Sequence, residues 1–419
     1  MSSQTPVHTG SDVSVLHQAL VEELKGRGHI RSPRVEAAFR AIPRHLFLPG
    51  VPSDEVYRDQ SIPTKRLDGR IVSSSSQPAI MAVMLEQLGL EPGHRVLEIG
   101  AATGYNAALM AHMVGDMGQV VTLDIDQDLV EGAREHLAAA GLDRVQVVCA
   151  DGGEGYPNAA PYDRIILTVG AWDIAPAWRD QLNPMGRLVL PLSIRGLQLS
   201  IAFEQVDDHL ESISVEPCGF IMLRGSFAGP DCDVQLGPEP GLSISADNPN
   251  LVDAGVAWRL LTSACRDWPT GVRVTTREVC LGLSFWLALR APGFCTLNAD
   301  KEMAEGRIIP DLFGFSSKFN STIGLLGEAS LCVLMRPPGQ SSPADESNGS
   351  PFELFVRNLG QDDTLAHRLT EQIAAWDAGG RRSAQGVRIR AYPQDAGYVP
   401  SPDESVVVKR WTRLALDWV

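Results

Sequence analysis

The chain has 419 residues, more than one average domain holds, so two folding units are expected. Hydrophobic residues make up 44% of it, which suits packed cores and excludes a disordered chain. The net charge of −15 lacks the basic footprint of a nucleic-acid binder, and no apolar run reaches the roughly 20 residues of a membrane span. The polar start, Met1 to Asp12, predicts no signal peptide. The 7 cysteines (Cys149, Cys218, Cys232, Cys265, Cys280, Cys295, Cys332) are scattered, odd in number and without a Cys-x-x-Cys pair. They predict free thiols in a reducing cytoplasm, no disulfide framework and no metal site.

Met1 to Ser11 reads as a loose tail, followed by amphipathic helices over Val13–Arg27 and Ser32–Ala41. Arg44 to Ser76 reads as irregular, punctuated by Pro49, Pro52 and Pro63. Gln77-Pro78 opens a helix through Leu88, since proline is tolerated in a first turn. From Arg95 strands and helices alternate. Strands are expected at Val96–Ile99, Gln119–Leu123, Val145–Cys149, Arg164–Val169 and Arg187–Leu192, with helices at Tyr105–Val114, Gln127–Ala140 and Ala175–Leu182. Leu199–Phe203 and Leu210–Val215 follow as an antiparallel pair. This alternation predicts a doubly wound, Rossmann-like parallel sheet with ligands at the carboxyl ends of its strands, where Glu98, Asp124 and Asp151 fall.

Residues 1–227 therefore form the expected first domain and 228–250, rich in Gly, Pro and Asp, a linker. Residues 251–419 are expected to form a smaller α+β domain. Its elements are helices at Leu251–Cys265, Arg277–Leu289 and Thr364–Trp376, and strands at Val272–Val274, Leu331–Met335, Glu353–Val356, Val387–Ala391 and Val406–Trp411. Pro337–Pro351 reads as a mobile surface loop.

The organising stretch is Val96-Leu97-Glu98-Ile99-Gly100-Ala101-Ala102-Thr103-Gly104-Tyr105, a strand running into a turn of small residues and then a helix. Such a turn lets a ligand approach the backbone closely. Glu98 disfavours a pyrophosphate and suits a ligand bearing hydroxyls or positive charge.

Together with Ser76-Gln77-Pro78, Asp151-Gly152, Gly155-Tyr156, Ala160-Pro161-Tyr162-Asp163, Gln181-Leu182 and Gly186-Arg187-Leu188-Val189, this ordered set resembles the protein-L-isoaspartate O-methyltransferases over about Tyr57 to Leu192. The resemblance implies a class I S-adenosylmethionine-dependent fold, S-adenosyl-L-methionine as cofactor, and methyl transfer to a side-chain carboxylate of a peptide or protein bearing Asp or isoAsp. Neither nucleic acid nor membrane is an expected partner.

It further implies cofactor contacts from Glu98, Gly100, Ala102, Gly104, Tyr105, Asp124, Ile125, Asp151 and Gly152. Asp124 would accept from the ribose hydroxyls, Asp151 from the adenine amino group, and Glu98 would orient the methionine portion. Ser76 and Asp59 match catalytic positions, with Ser75, Gln77 and Thr168 near the substrate. Plainer roles stand beside these: helix caps for Asp124 and Ser76, a turn residue for Asp151, an exposed loop carboxylate for Asp59.

Several features depart from the family pattern, among them Ser193 where the family usually has glycine and the whole C-terminal extension. Ala102 replaces a glycine of the turn, and the loop from Asp59 to Ser76 is long and carries Lys65, Arg66 and Arg70, either a solvated loop or a basic lip for an acidic peptide. The C-terminal extension, with Gly104-Tyr105-Asn106-Ala107-Ala108-Leu109 and Ala177-Trp178-Arg179-Asp180-Gln181-Leu182, is similar to the lanthipeptide-associated (FxLD-type) branch. That similarity implies an aspartate of a ribosomally made precursor peptide as acceptor, the ester leading to succinimide or isoaspartate. Repair of isoaspartate in aged proteins is the alternative. Phe285, Trp286 and Phe355 are either peptide contacts or core of the extension.

Overall fold

The structure is a computed structural model that describes residues 10–238, 240–248, 250, 252–300, 303, 309–310, 312–316, 319–337, 350–402 and 404–418. Most of the expected loop at 337–351 and of the N-terminal tail lies outside them.

The first helices pack as their spacing predicts. α1 (Gly10–Gly26) buries Leu20, Val21 and Leu24. α2 (Pro33–Ala41) starts where Ser32 Oγ accepts from Val35 N–H and buries Val35, Ala38 and Phe39. A short α3 (Ser53–Val56) precedes a hairpin of β1 (Ile62–Leu67) and β2 (Arg70–Ser75) that corrects the irregular reading. Its strands are mostly exposed, so alternation is faint. The turn signal was Asp68-Gly69, whose φ angles of 50° and 79° are those a two-residue hairpin turn demands.

α4 (Pro78–Leu88) leads into the alternating region: β3 (Arg95–Ile99), α5 (Tyr105–Val114), β4 (Gln119–Asp124), α6 (Gln127–Ala139), β5 (Gln146–Cys149), β6 (Tyr162–Leu167), α7 (Pro176–Asp180) and β7 (Leu182–Ile194). β8 (Leu197–Val206) and β9 (His209–Pro217) complete the antiparallel pair. β5–β4–β3–β6–β7 are parallel neighbours in that order. The order reverses between β3 and β6. Central strands such as Val96–Ile99 are buried on both faces, as a sheet covered by helices requires.

The domain boundaries need correction. β10 (Asp233–Gln235) and β11 (Leu242–Ala246) occupy the expected linker. They belong to a second, antiparallel sheet with β12 (Cys265–Val274), β13 (Phe294–Asp300), β14 (Phe313–Ser316), β15 (Phe319–Leu326), β16 (Ser330–Met335) and β17 (Phe352–Gly360). Thr364–Ala378 is a helix, as expected. The helix expected at Arg277–Leu289 is interrupted by a wide turn at Val279–Leu283.

The last strands, β18 (Val387–Pro393), β19 (Ser405–Val408) and β20 (Thr412–Trp418), leave that unit altogether. β18 pairs with β9 through Ala391 opposite Leu210, making one sheet of ten strands. Residues 251–419 are therefore not one domain: 233–378 are inserted between two parts of the first sheet. The physical reason is burial, since Leu210, Ile389, Leu414 and Leu416 share a core with Leu188 and Leu190 of β7. Phe285 of the inserted unit also buries there, so it is core and not a surface contact.

Leu416→Ala is expected to lower the unfolding free energy by about 2–4 kcal/mol, the cost of a cavity at a fully enclosed leucine. Urea unfolding monitored by a signal from the first sheet checks this. An unchanged midpoint would mean that β20 does not belong to that core.

Candidate active site

The carboxyl ends of β3, β4 and β6 meet where strand order reverses, which is where a doubly wound sheet opens a crevice. The turn after β3 is bound to the end of β4. Gly100 and Ala101 N–H both donate to Leu123 O at 2.8 Å, and Ala102 N–H donates to Asp124 Oδ2 at 2.9 Å. Asp124 Oδ1 accepts from Asp126 N–H at 3.2 Å. Gly100 has φ 110°, and a Cβ there would come within 2.5 Å of Thr168 Oγ1, so the position demands glycine. Ala102, at φ 44°, adopts the left-handed conformation at a cost of roughly 1 kcal/mol. Gly104, at φ 84°, opens α5.

A cavity of about 390 Å³ lies over this turn, a volume typical of small-molecule sites. Three groups of residues line it. Gly100, Ala102, Asp124, Ile125, Gly152 and Thr168 come from the strand ends. Ser73, Ser74, Ser76 and Gln77 come from the hairpin and the entry to α4. Pro217 to Arg224 form a strap after β9. A smaller recess between Ser74–Ser76 and the turn at Gly100–Asn106 shares Ser74, Ser76, Gly100, Ala102, Thr168 and Phe220 with the larger one. Ser76 thus stands at their junction.

Two interactions absent from the sequence reading hold this lip. The Arg44 guanidinium, 0% exposed, donates through Nη1 to Val56 O at 2.7 Å and through Nη2 to Ser76 O at 2.9 Å and Gln60 O at 3.2 Å. Burial without a carboxylate partner pulls its pKa below the usual arginine value. Asp126 then gathers two cations from separate segments: Arg224 of the strap at 2.6 Å and Lys65 of the hairpin at 3.1 Å, with Lys65 also 2.6 Å from Asp128. The Arg224 guanidinium holds the Asp126 carboxyl below the ordinary range. Lys65 is thus committed to α6, while Arg70 remains 84% exposed in its side chain.

The strap was also missed. Its signal was the apolar run Phe220-Ile221-Met222-Leu223 between Gly219 and Gly225. It bonds across the end of β6 through Gly170 N–H to Ile221 O and Leu223 N–H to Gly170 O, both 2.8 Å.

Of the expected site residues, Gly100, Ala102, Asp124, Ile125, Gly152, Ser76, Gln77 and Thr168 line the main cavity. Ser75 and Tyr105 line only the recess, and Gly104 lines neither. Thr168 Oγ1 donates to Gly100 O at 2.6 Å, leaving its lone pairs available.

Three of the expected carboxylates line neither recess. Glu98 is 0% exposed and lines neither recess; it accepts from Asn106 Nδ2 at 2.8 Å and Thr122 Oγ1 at 2.6 Å beneath the turn. Asp151 accepts from Gly153 N–H at 2.9 Å and Ser226 N–H at 2.6 Å, bonds that shape the turn, and lines neither recess. Asp59 accepts from Ala79 N–H at 2.8 Å and Gln77 Nε2 at 2.9 Å, so it caps α4 from outside the chain's own first turn and lines neither recess. Asp59, and not Ser76, is therefore that helix's cap.

The donor set suits a nucleoside-bearing cofactor: a carboxylate at the end of the second parallel strand, glycine backbones, and Ile125 and Leu223 as apolar faces for a flat ring. Fold and cleft define a class I S-adenosyl-L-methionine-dependent methyltransferase, and S-adenosyl-L-methionine is its cofactor. The family model described as Protein-L-isoaspartate(D-aspartate) O-methyltransferase matches residues 15–227. The protein-L-isoaspartate O-methyltransferase of Methanopyrus kandleri is 40% identical over 210 residues, covering 50% of this chain and 91% of its own. That of Hyperthermus butylicus is 41% identical over 217 residues, covering 50% and 88%. A solved structure titled protein-L-isoaspartate O-methyltransferase is 24% identical, with a TM-score of 0.49, and the match covers 89% of this chain and 96% of that one. The chain belongs to the protein-L-isoaspartate O-methyltransferase family and is an enzyme. No helix among the described residues is long and apolar enough to cross a membrane.

Burial raises the Glu98 pKa from 4.5 to about 7. The folded state then holds this proton more tightly than the unfolded one. The stability that this provides is full below about pH 4.5 and is lost as pH rises through about 7. Glu98→Gln is expected to flatten the stability profile between pH 5 and 7, seen in urea midpoints across that window. A variant with the parent's slope would rule out this carboxyl as the source.

Arg44→Lys is expected to cost about 2–4 kcal/mol, because one ammonium cannot serve carbonyls on both segments. Chemical unfolding checks the loss.

Proposed function

We propose that the enzyme methylates the free carboxylate of an isoaspartyl residue in a polypeptide. The observation that carries this is Ser76 at the junction of the donor cavity and the recess, on a lip whose cavity-lining residues, Ser61 to Gln77, include no cation.

S-adenosyl-L-methionine supplies an electrophilic methyl group on a sulfonium centre. Asp124 would hold it through ribose hydroxyls, with Ile125 and Leu223 beside the base and the Gly100 and Ala102 backbone leaving room. The acceptor, with a carboxyl pKa near ~3.9, is already ionised at neutral pH, so the chain need provide no general base. Ser76 and Gln77 offer neutral donors that orient the carboxylate without stabilising its charge as strongly as an ammonium would. The strap and hairpin exclude water, which helps an anion meet a cation. The methyl ester is then open to attack by the following backbone nitrogen, which loses its proton as the acyl C–O bond breaks and methanol leaves, giving a succinimide.

The curated relatives support isoaspartate as acceptor. Those alignments cover half of this chain, and the second reading is an aspartate in a ribosomally made precursor peptide such as a lanthipeptide. Labelled donor offered with an isoaspartyl peptide and its aspartyl twin separates the two. Transfer to the isoaspartyl peptide alone is expected, and transfer to the aspartyl twin alone would overturn the proposal. In the same assay Ser76→Ala is expected to raise the acceptor KM about tenfold or more while leaving the donor KM in place, the worth of a hydrogen bond to a charged group.

A further inference from the structure

The strap that lines the donor cavity is not held by the first half of the chain alone. Three residues beyond it stands Phe227, 7% exposed, which is also where the family match ends. The Phe227 ring stacks on Trp411 with centroids 4.4 Å apart and planes 26° from parallel. Trp411 lies in the turn between β19 and β20, at the far end of the chain and beyond the inserted unit. On its other side Phe227 meets Trp178, centroids 5.2 Å apart, and Trp178 Nε1 donates to Gly152 O at 2.8 Å. Gly152 lines the cavity, and so do Leu223 and Arg224 of the strap.

The C-terminal turn is itself anchored. Trp411 N–H donates to Asp173 Oδ2 at 2.7 Å, and Asp173 is 0% exposed in the loop after β6. Beside it the Lys409 ammonium lies 4.7 Å from the Trp172 ring centroid, with Lys409 only 5% exposed. Both contacts fix the turn to the segment that follows β6, whose end carries Thr168 and Gly170. Phe227 is thereby gripped, within one shared core, by a residue nearly 200 positions away.

We propose that Trp411 is a positioning residue for the methyl-donor pocket, acting through Phe227 on the strap and through Trp178 on Gly152. This rests on the reading of the cavity as the donor site. Residues 1–227 would then lack one support of their own cofactor wall, and β18–β20 would be part of the catalytic unit. Without the indole, Phe227 loses its stacking face and the strap gains freedom that donor binding must remove. Affinity for the donor falls, while the acceptor lip, tied to the strap through Asp126, keeps its own anchor at Arg44.

The test is titration calorimetry of S-adenosyl-L-methionine into the full chain, its Trp411→Leu, Trp411→Phe and Trp418→Leu variants, with donor and acceptor KM measured alongside. Trp418 sits at the other end of β20, where it donates to Ser383 O at 3.1 Å and packs on Trp286, so it reports general loosening of the hairpin. Trp411→Leu is expected to weaken donor binding about threefold to tenfold, with donor KM rising by more than acceptor KM. Trp411→Phe should restore most of the loss, and Trp418→Leu should bind within twofold of the parent. Should Trp411→Leu fail to fold, Phe227→Leu reads the same contact from the strap side and carries the same expectation. Equal donor affinity in the parent and Trp411→Leu overturns the inference, as does an equal loss in Trp418→Leu. A parent chain that binds no donor would overturn the cavity assignment first and this inference with it.

Discussion

Three successive backbone N–H groups, those of Gly100, Ala101 and Ala102, are all accepted by the end of β4: two by Leu123 O and one by the Asp124 carboxylate. That binding turns the chain sharply after β3 and opens the crevice that the rest of the site surrounds. It also explains the residues found there. Gly100 must be glycine because Thr168 Oγ1 would collide with a Cβ, whereas Ala102 tolerates the left-handed angle at a small cost, compensated by its bond to Asp124. One carboxylate therefore serves twice, shaping the turn and facing the cavity.

Around this turn the site is assembled from segments that have no covalent reason to stay together. Arg44 joins the loop at Val56–Gln60 to the serine lip, and its buried charge is spread over backbone carbonyls instead of being cancelled by an acid. Asp126 joins the hairpin and the strap by pairing Lys65 and Arg224. The consequence is a neutral acceptor lip: the basic residues that suggested capture of an acidic peptide are spent on internal pairs or point to solvent. Asp59 and Glu98 likewise act from beneath, the one capping α4 and the other supporting the turn, and leave Asp124 as the cavity's carboxylate.

The alternating part of the fold was legible because its signals are strong: apolar runs buried on both faces, ended by glycine or aspartate. Gly100, Asp124, Ile125, Gly152, Ser76 and Thr168 could be named from their order along the chain. The acids were harder. Glu98, Asp124 and Asp151 all stand at or near strand ends, and alternation along a strand does not say which carboxylate faces the cavity. Asp151 accepts from Gly153 and Ser226 N–H, the second 75 residues away, and lines neither recess, whereas Asp124 accepts two backbone N–H groups and still lines the cavity. The hairpin and the strap were missed for a related reason. Each is short, half exposed and stabilised by partners distant in sequence.

What the chain's order of residues determined by itself is local: the strand–turn–helix unit at Val96–Tyr105, the run of parallel strands, and the small residues where a cofactor must come close. The tertiary structure alone decided which side chains face the cavity and which elements share a core. Val387–Trp418 illustrates the second point. Its apolar alternation is that of any half-buried strand set, and it fits equally well beside β17 or beside β9. Only burial of Ile389, Leu414 and Leu416 against Leu188 and Leu210, a contact spanning most of the chain, returns these strands to the first sheet.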